Sequence, residues 1–421
     1  MQERNLRVLE FHKIRAMLSD LALSDLGKER INELVPASDE RTVRLYQQQT
    51  EEASVVMAYT GSNPMPAAAD VRAHLKRAGV GATLNAKALL EIAEALRAAR
   101  SARDSLVTDR DNTPLITAMA SELFLNRPLE EDIFDAILSE EEISDHASPE
   151  LYAIRRHIKQ CNERVRDKLN EIIRSPVMQK YLMDTIITQR DGRYVLPVRA
   201  DSRQYINGLV HDQSASGATL FIEPAAVVEA GNDLRQWMAK ERQEIERILA
   251  AFSQRVQPEA PAYEKNLEIL AELDMIFAKA TLSRMMRAVP PKLNTEGRIH
   301  IKEGRHPLID PAKVVPSTLW IGQDFTSLVV TGPNTGGKTV TLKTVGLFTL
   351  MAQAGLQIPA TLGTELAIFD EVFADIGDEQ SIEQSLSTFS SHMTNIVAIL
   401  SQVTPRSLTL FDELGAGTDP T

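Results

Sequence analysis

The chain has 421 residues, 46 Lys and Arg against 58 Asp and Glu, a net charge of −12 and a single cysteine. That length suggests two to four domains at roughly 100–200 residues each, and the acidic balance excludes a generic polycation that coats nucleic acid. Cys161 alone makes neither an internal disulfide nor a multi-cysteine zinc site, and is expected on a helix, at the surface or half-buried.

From Leu6 to about Leu125 the pattern is helical. Leu6, Leu9, Ile14, Leu18 and Leu21, and later Leu89, Leu90, Ile92, Ala95 and Leu96, recur at spacings that form an apolar stripe. Met1–Glu10 is charged and no apolar stretch follows, so no secretory signal is expected. Charge is then uneven. Leu129–Glu150 carries nine acids and no Lys or Arg, whereas Leu151–Lys180 carries eight basic residues against three acids. Such a run is either a solvated helix face or a basic arm that approaches a phosphate backbone.

Between Tyr181 and Pro224 the texture changes to short strands: Thr185–Thr188, Tyr194–Val198, Tyr205–Val210 and Ala218–Ile222. The joins, Gln189-Arg-Asp-Gly192 and His211-Asp-Gln-Ser-Ala-Ser-Gly217, have turn chemistry. His211 to Ser214 hints at a hydrolase, but no oxyanion hole accompanies it, so turn-forming is the better reading. Helical periodicity resumes from about Ala225 to Arg287, with a break near Gln257-Pro258, and Val289-Pro-Pro291 reads as a linker.

The chemistry lies beyond that linker. Leu328-Val-Val-Thr runs into Gly332-Pro-Asn-Thr-Gly-Gly-Lys338-Thr339 and then a helical pattern, the strand–loop–helix setting of a phosphate-binding loop. Gly332, Gly336 and Gly337 let the backbone wrap a phosphate; Lys338 supplies a point charge and Thr339 a hydroxyl for Mg²⁺. Downstream, Ser407-Leu-Thr-Leu-Phe411 ends in Asp412-Glu413. The first acid is placed to help hold Mg²⁺ and the second to polarise an attacking water. The uncharged run Thr344–Thr364 contains Gln353, Gly355, Gln357, Pro359 and Gly363. It reads as a buried helix and its exit, with no membrane span, and the expected location is cytoplasmic.

These motifs carry a resemblance. Gly332–Thr339, Ala352–Ala360, Leu386-Ser-Thr-Phe-Ser-Ser-His-Met393 and Asp412–Pro420 follow one another as in the MutS family of ABC-type ATPases. Phe373–Ser381, His392, Thr418-Asp-Pro420, Ile143–Leu151 and Gly208–Pro224 resemble the second bacterial type, a recombination-suppressing branch whose members usually end in a Smr nuclease domain. His392 is given no role.

The resemblance implies a mostly α chain with α/β parts. It divides into a helical core (1–125), lever helices (126–289) that carry a β clamp at about 177–224, and a P-loop ATPase domain (290–421). ATP and Mg²⁺ are the implied cofactors, with Gly332, Pro333, Asn334, Thr335, Gly336, Gly337, Lys338 and Thr339 around the nucleotide. Thr339 and Asp412 would serve the metal. Lys338, Glu413 and Ser387 would be catalytic, Ser387 reaching across a homodimer. Gly304-Arg-His-Pro307 would lie near the adenine. Arg190, Arg193, Arg199 and Arg203 are candidate backbone contacts to branched or double-stranded DNA or to a ribosome and its rRNA. Acids balance these arginines, so the clamp as a whole is neutral.

The motif series stops within the D-loop at Thr421, so the expectation is an ATPase domain truncated there, without the Smr nuclease. A binding or scaffold module that hydrolyses nothing stays open. Another ABC-type chromosome ATPase fits less well, since Ser390 follows Leu386-Ser-Thr-Phe389 where an LSGG-like signature is usual.

Overall fold

The computed structural model describes residues 1–107, 111–332, 337–376 and 385–412, with the backbone alone for 385–392. Helices dominate and the strands are few and short, the mostly α chain with α/β parts that was expected. Contacts divide it into two units, each discontinuous in sequence: 71–93 with 126–260, and 1–70 with 94–125 and 261–421.

The first unit is built on two long helices. Pro149–Arg174 begins where its sequence dictates: Ser148 Oγ accepts the Leu151 N–H, Pro149 sits in the first turn and Glu150 adds an acid there. Leu151, Ile154, Cys161, Val165 and Leu169 are its buried positions, one stripe along the helix that packs with the returning helix Ala225–Val256. Cys161 falls on that stripe and is buried, not at the surface. The basic run is partly paired, Arg155 with Glu241 and Asp145, and Arg164 with Asp233. Arg156, Lys159 and Arg166 are exposed.

Between those helices lies a four-stranded antiparallel sheet: β1 (Thr188–Arg190), β2 (Arg193–Arg199), β3 (Gly208–Gln213) and β4 (Thr219–Pro224), in the order β1-β2-β4-β3. Two joins are shorter than the sequence suggests. The first hairpin turns on Asp191 and Gly192, with φ of 49° and 71°, so Gln189 and Arg190 pair with β2 instead of turning. Consequently only Thr188 of the expected first strand is paired. In the second join, His211–Gln213 belong to β3 and the turn contracts to Ser214–Gly217, closed by Ser214 N–H to Thr219 O.

The β3–β4 register shifts between Val210 and Asp212, which makes His211 the extra residue of a bulge. Its Nε2 lies 2.8 Å from Glu223 Oε2, while Arg193 Nη1 lies 3.1 Å from Oε1. Glu223 is 1% exposed, so two partners compensate its desolvation. His211 thus ties β3 to Glu223 of β4 from within the strand, not from the turn that the sequence suggested. Glu223→Ala is expected to cost about 2 kcal/mol, the scale of a hydrogen bond to a charged group, since both part-exposed partners lose their acceptor at once. Hydrogen exchange should show β3 and β4 opening sooner; unchanged protection would refute this role.

The second unit gathers the N-terminal helices around Ala260–Met286. That helix is buried nearly all round: Leu273, Ile276, Phe277 and Ala280 pack with Ala53, Val56, Ala99 and Ile116. Its buried Asp274 caps another helix, accepting the N–H groups of Leu23 and Ser24 and the Ser24 hydroxyl at 2.6 Å. Ser24 Oγ in turn accepts the Gly27 N–H at the start of Asp25–Asn32.

The strands of this unit form two small sheets. β5 (Lys292–Asn294), β6 (Ile299–Gly304), β7 (Ser317–Ile321) and β8 (Glu365–Ala367) take the order β5-β8-β6-β7. β9 (Glu371–Asp375) and β10 (Ser407–Phe411) pair in parallel. The helix Lys338–Gln353 is buried throughout Thr344–Gln353, joining Leu347, Phe348, Leu350 and Met351 to Leu6, Leu9, Val372 and Leu410.

Its exit is pinned by polar side chains. Gln353 Nε2 donates to Ala37 O and Phe369 O, Gln47 Nε2 to Ala352 O and Leu356 O, and Thr50 Oγ1 to Gly355 O. The uncharged run is therefore a buried helix and exit, as its glutamines suggested. Among the described residues no helix is long and apolar enough to cross a membrane.

One expected element is absent. Leu328–Thr331 makes no strand, and Leu328, Val329 and Val330 are 45%, 82% and 43% exposed. A strand requires a neighbour for its N–H and C=O groups, whatever its β-branched content. Among the described residues β9 is the one partner of β10, and no strand runs beside 328–331.

Candidate functional site

The helix Lys338–Gln353 starts at Gly337, whose φ of 79° is left-handed and suits glycine. Free N–H groups at such a start favour an anion. Lys338 Nζ donates to Gly332 O at 2.5 Å, so the ammonium folds back over the loop's own entrance. Thr339 Oγ1 donates to Asp412 Oδ2 at 2.5 Å, although the two are 73 residues apart.

Asp412 owes its place to β10, which ends one residue earlier, and to its N–H, which donates to Asp375 O at 3.0 Å. A hydroxyl and a carboxylate thus converge beside a helix N-terminus and a lysine. Two hard oxygen ligands fit Mg²⁺, and the helix start with its lysine fits a polyphosphate.

Of the residues expected here, Gly332, Gly337, Lys338, Thr339 and Asp412 are described and lie together. Pro333, Asn334, Thr335, Gly336 and Glu413 lie outside the described residues. Ser387 is placed by its backbone in the helix Ser385–Leu400, with its side chain outside them.

His306, expected near an adenine, is buried, and its Nδ1 accepts the Leu308 N–H. Burial pushes its pKa below the ordinary imidazole value; Glu10 opposes this, and Lys343 and Lys13 add to it.

The clamp arginines differ among themselves. Arg193 is bound to Glu223 and Asn232, and both Arg203 Nη atoms donate to the backbone at Ile206 and Gly208. Arg190 pairs with Asp212 at 3.0 Å and lies over the Phe221 ring. Arg199 is exposed at the end of β2. Arg190 would have to give up only the exposed Asp212 and Gln189 O to meet a phosphate, and Arg199 is the freest of the four.

Sequence reasoning missed Asp375 and Asn395. Asp375 is buried at the end of β9, where it takes Asn395 Nδ2 at 2.7 Å on Oδ1. A signal existed, since Glu371-Val-Phe-Ala-Asp375 is an apolar strand ending in an acid, the same pattern as Ser407–Asp412.

Known proteins match this chain in sequence along its whole length. It is 53% identical to the Endonuclease MutS2 of Alkaliphilus oremlandii and 54% to that of Acetivibrio thermocellus, covering 100% of this chain and 54% of each relative. The chain belongs to the MutS family, in its second bacterial type. The Endonuclease MutS2 of Listeria monocytogenes serotype 4a is 48% identical over the same shares. Residues 328–421 match the family model for MutS domain V, the stretch that holds Lys338, Thr339 and Asp412. The chain spans about half the length of the curated relatives it matches.

Proposed function

We propose that the chain is an ATP-dependent nucleic-acid clamp of the second MutS type. The observation that carries this reading is Thr339 Oγ1 on Asp412 Oδ2, set at the N-terminus of the Lys338–Gln353 helix. Lys338 binds the β and γ phosphates there, and Gly332 to Gly337 bring the backbone close to them. Mg²⁺, held by Thr339 and Asp412, would neutralise phosphate charge. Glu413 polarises the attacking water, and Ser387 reaches the γ-phosphate bound by the partner of a homodimer.

In this reading 1–125 is the core, 126–289 the levers and clamp, and 290–421 the ATPase domain. ATP binding closes the two ATPase heads, and the lever helices carry that motion to the clamps. Arg190 and Arg199 are the clamp's best candidates for phosphate contact. Branched or double-stranded DNA, with suppression of recombination, and a stalled ribosome with its rRNA are the two partner classes this implies. The exposed run 328–330 outside any sheet favours a second reading, a binding module that hydrolyses nothing.

The test is titration of the purified chain with a fluorescent ATP analogue, with Mg²⁺ and in EDTA, followed by steady-state phosphate release. Saturable binding that tightens with Mg²⁺ is expected, and turnover would reject the scaffold reading. A chain that binds no nucleotide overturns the ATPase assignment.

A further inference from the structure

Three elements distant in sequence meet at the end of β9. Asp375 closes the strand and is 5% exposed; Asn395, 8% exposed, comes from the helix Ser385–Leu400. Arg4 comes from the short helix Glu3–Val8. Asn395 presents its two ends to opposite charges: Oδ1 accepts from Arg4 Nη1 at 2.5 Å, and Nδ2 donates to Asp375 Oδ1 at 2.7 Å. The neighbours fix that amide orientation, because a carbonyl suits the guanidinium and an NH₂ the carboxylate. Asn5, beside Arg4, accepts the Ala374 N–H at 3.4 Å, so the N-terminal helix also covers the edge of β9 that β10 leaves open.

The same strand end holds the acid of the nucleotide site. Asp375 O accepts the Asp412 N–H, and the Asp412 carboxylate meets the Thr339 hydroxyl. A buried amide bonded at both ends, as Asn395 is, has little freedom to turn. What orients Asp375 therefore orients the backbone that aims Asp412.

We propose that Asn395 is a positioning residue, joining the helix that carries Ser387 to the end of β9 and thereby fixing the aim of Asp412 at Thr339. This rests on the ATP and Mg²⁺ reading given above. Asn395 lies on the same helix as Ser387, roughly 12 Å further along its axis at 1.5 Å per residue. A helix moves as a rod over that distance, so a displacement at Ser387 reaches Asp375 through Asn395. Arg4 holds the opposite side of the amide and keeps the N-terminal helix in the same network. The outcome is a link from the contact proposed across the dimer to the metal-binding acid of the same subunit.

The test uses the full 421-residue chain with a fluorescent ATP analogue, measured with Mg²⁺ and in EDTA. For wild type, Mg²⁺ should tighten binding. In Asn395→Ala that gain should fall about 10-fold, the low end of the cost of losing a group that orients a metal ligand because Asn395 acts through Asp375, while affinity in EDTA stays within about twofold. Arg4→Met, at the exposed end of the network, should reduce the gain about twofold with an unchanged Tm. An undiminished Mg²⁺ gain in Asn395→Ala overturns the proposal and leaves the ATPase reading standing.

Equal losses in Mg²⁺ and EDTA overturn it too, since a merely structural role has that signature. If Asn395→Ala does not fold, Arg4→Met decides: no reduction there refutes the network. A wild-type chain that binds no nucleotide overturns both readings together.

Discussion

Exchanging Lys338 for alanine is expected to weaken ATP binding about 100-fold, roughly 3 kcal/mol, the scale of losing one partner of a close charge pair. The lysine opens its helix directly after the left-handed Gly337. Its ammonium already reaches back to Gly332 O, so it is held over the loop entrance before any phosphate arrives. A phosphate then gains a positioned cation and several N–H donors at one helix start. Lys338→Arg should rescue poorly, because a planar fork replaces a compact point charge. Isothermal calorimetry reads the affinity, and circular dichroism should show the fold intact. Unchanged affinity in Lys338→Ala would sink the assignment of this site to a nucleotide.

The second large effect has the opposite sign. Lys279→Met is expected to stabilise the chain by up to about 3 kcal/mol near neutral pH. Lys279 is 1% exposed within the helix Ala260–Met286, and burial lowers its pKa to about 8 from an ordinary 10.5. Glu272 works against that shift and Arg30 works with it. Lys279 Nζ lies 5.1 Å from the Tyr46 ring centroid, an attraction that offsets part of the cost.

A lysine whose folded pKa lies below its unfolded one burdens the fold while it is charged. That burden is complete below the folded value and is relieved as pH rises from about 8 towards 10.5. Wild type should therefore gain about 1 kcal/mol relative to Lys279→Met between pH 7 and pH 9. Methionine keeps the volume and a sulfur contact with Tyr46, so no cavity confuses the comparison. Denaturant unfolding at the two pH values measures it, and a parallel pH response in both proteins would refute the buried-charge account.

Helix positions were legible because their causes are local. Ser148 followed by Pro149 and Glu150 caps a helix wherever it lies, and Leu151 to Leu169 repeat at helical spacing. Strand limits were less legible. Gln189, Arg190 and His211–Gln213 are polar and turn-like alone, yet they pair because β2 and β4 present edges to them. Leu328–Val330 shows the converse, an apolar run with two β-branched residues that pairs with no strand among the described residues. At the site, Lys338 and Thr339 could be named because loop chemistry is written in consecutive residues, and Asp412 because it ends an apolar strand downstream. Asn395 could not, since it matters only through what it touches, and Asp375 carried only the weaker signal of an acid that ends an apolar strand.

The amino-acid sequence by itself determines the family and the position of its phosphate-loop motif. Spacing such as Gly332-x-x-x-x-Gly-Lys-Thr339 survives any arrangement of the remaining chain. Tertiary structure alone decides which buried groups are neutralised, and by what. Glu223 is held by His211 and Arg193, Asp274 by Leu23 and Ser24, and Asp375 by Asn395 with Arg4 behind it. The physical reason is the short range of a hydrogen bond. It joins residues across hundreds of positions at no cost in sequence pattern, so nothing in the linear text announces it.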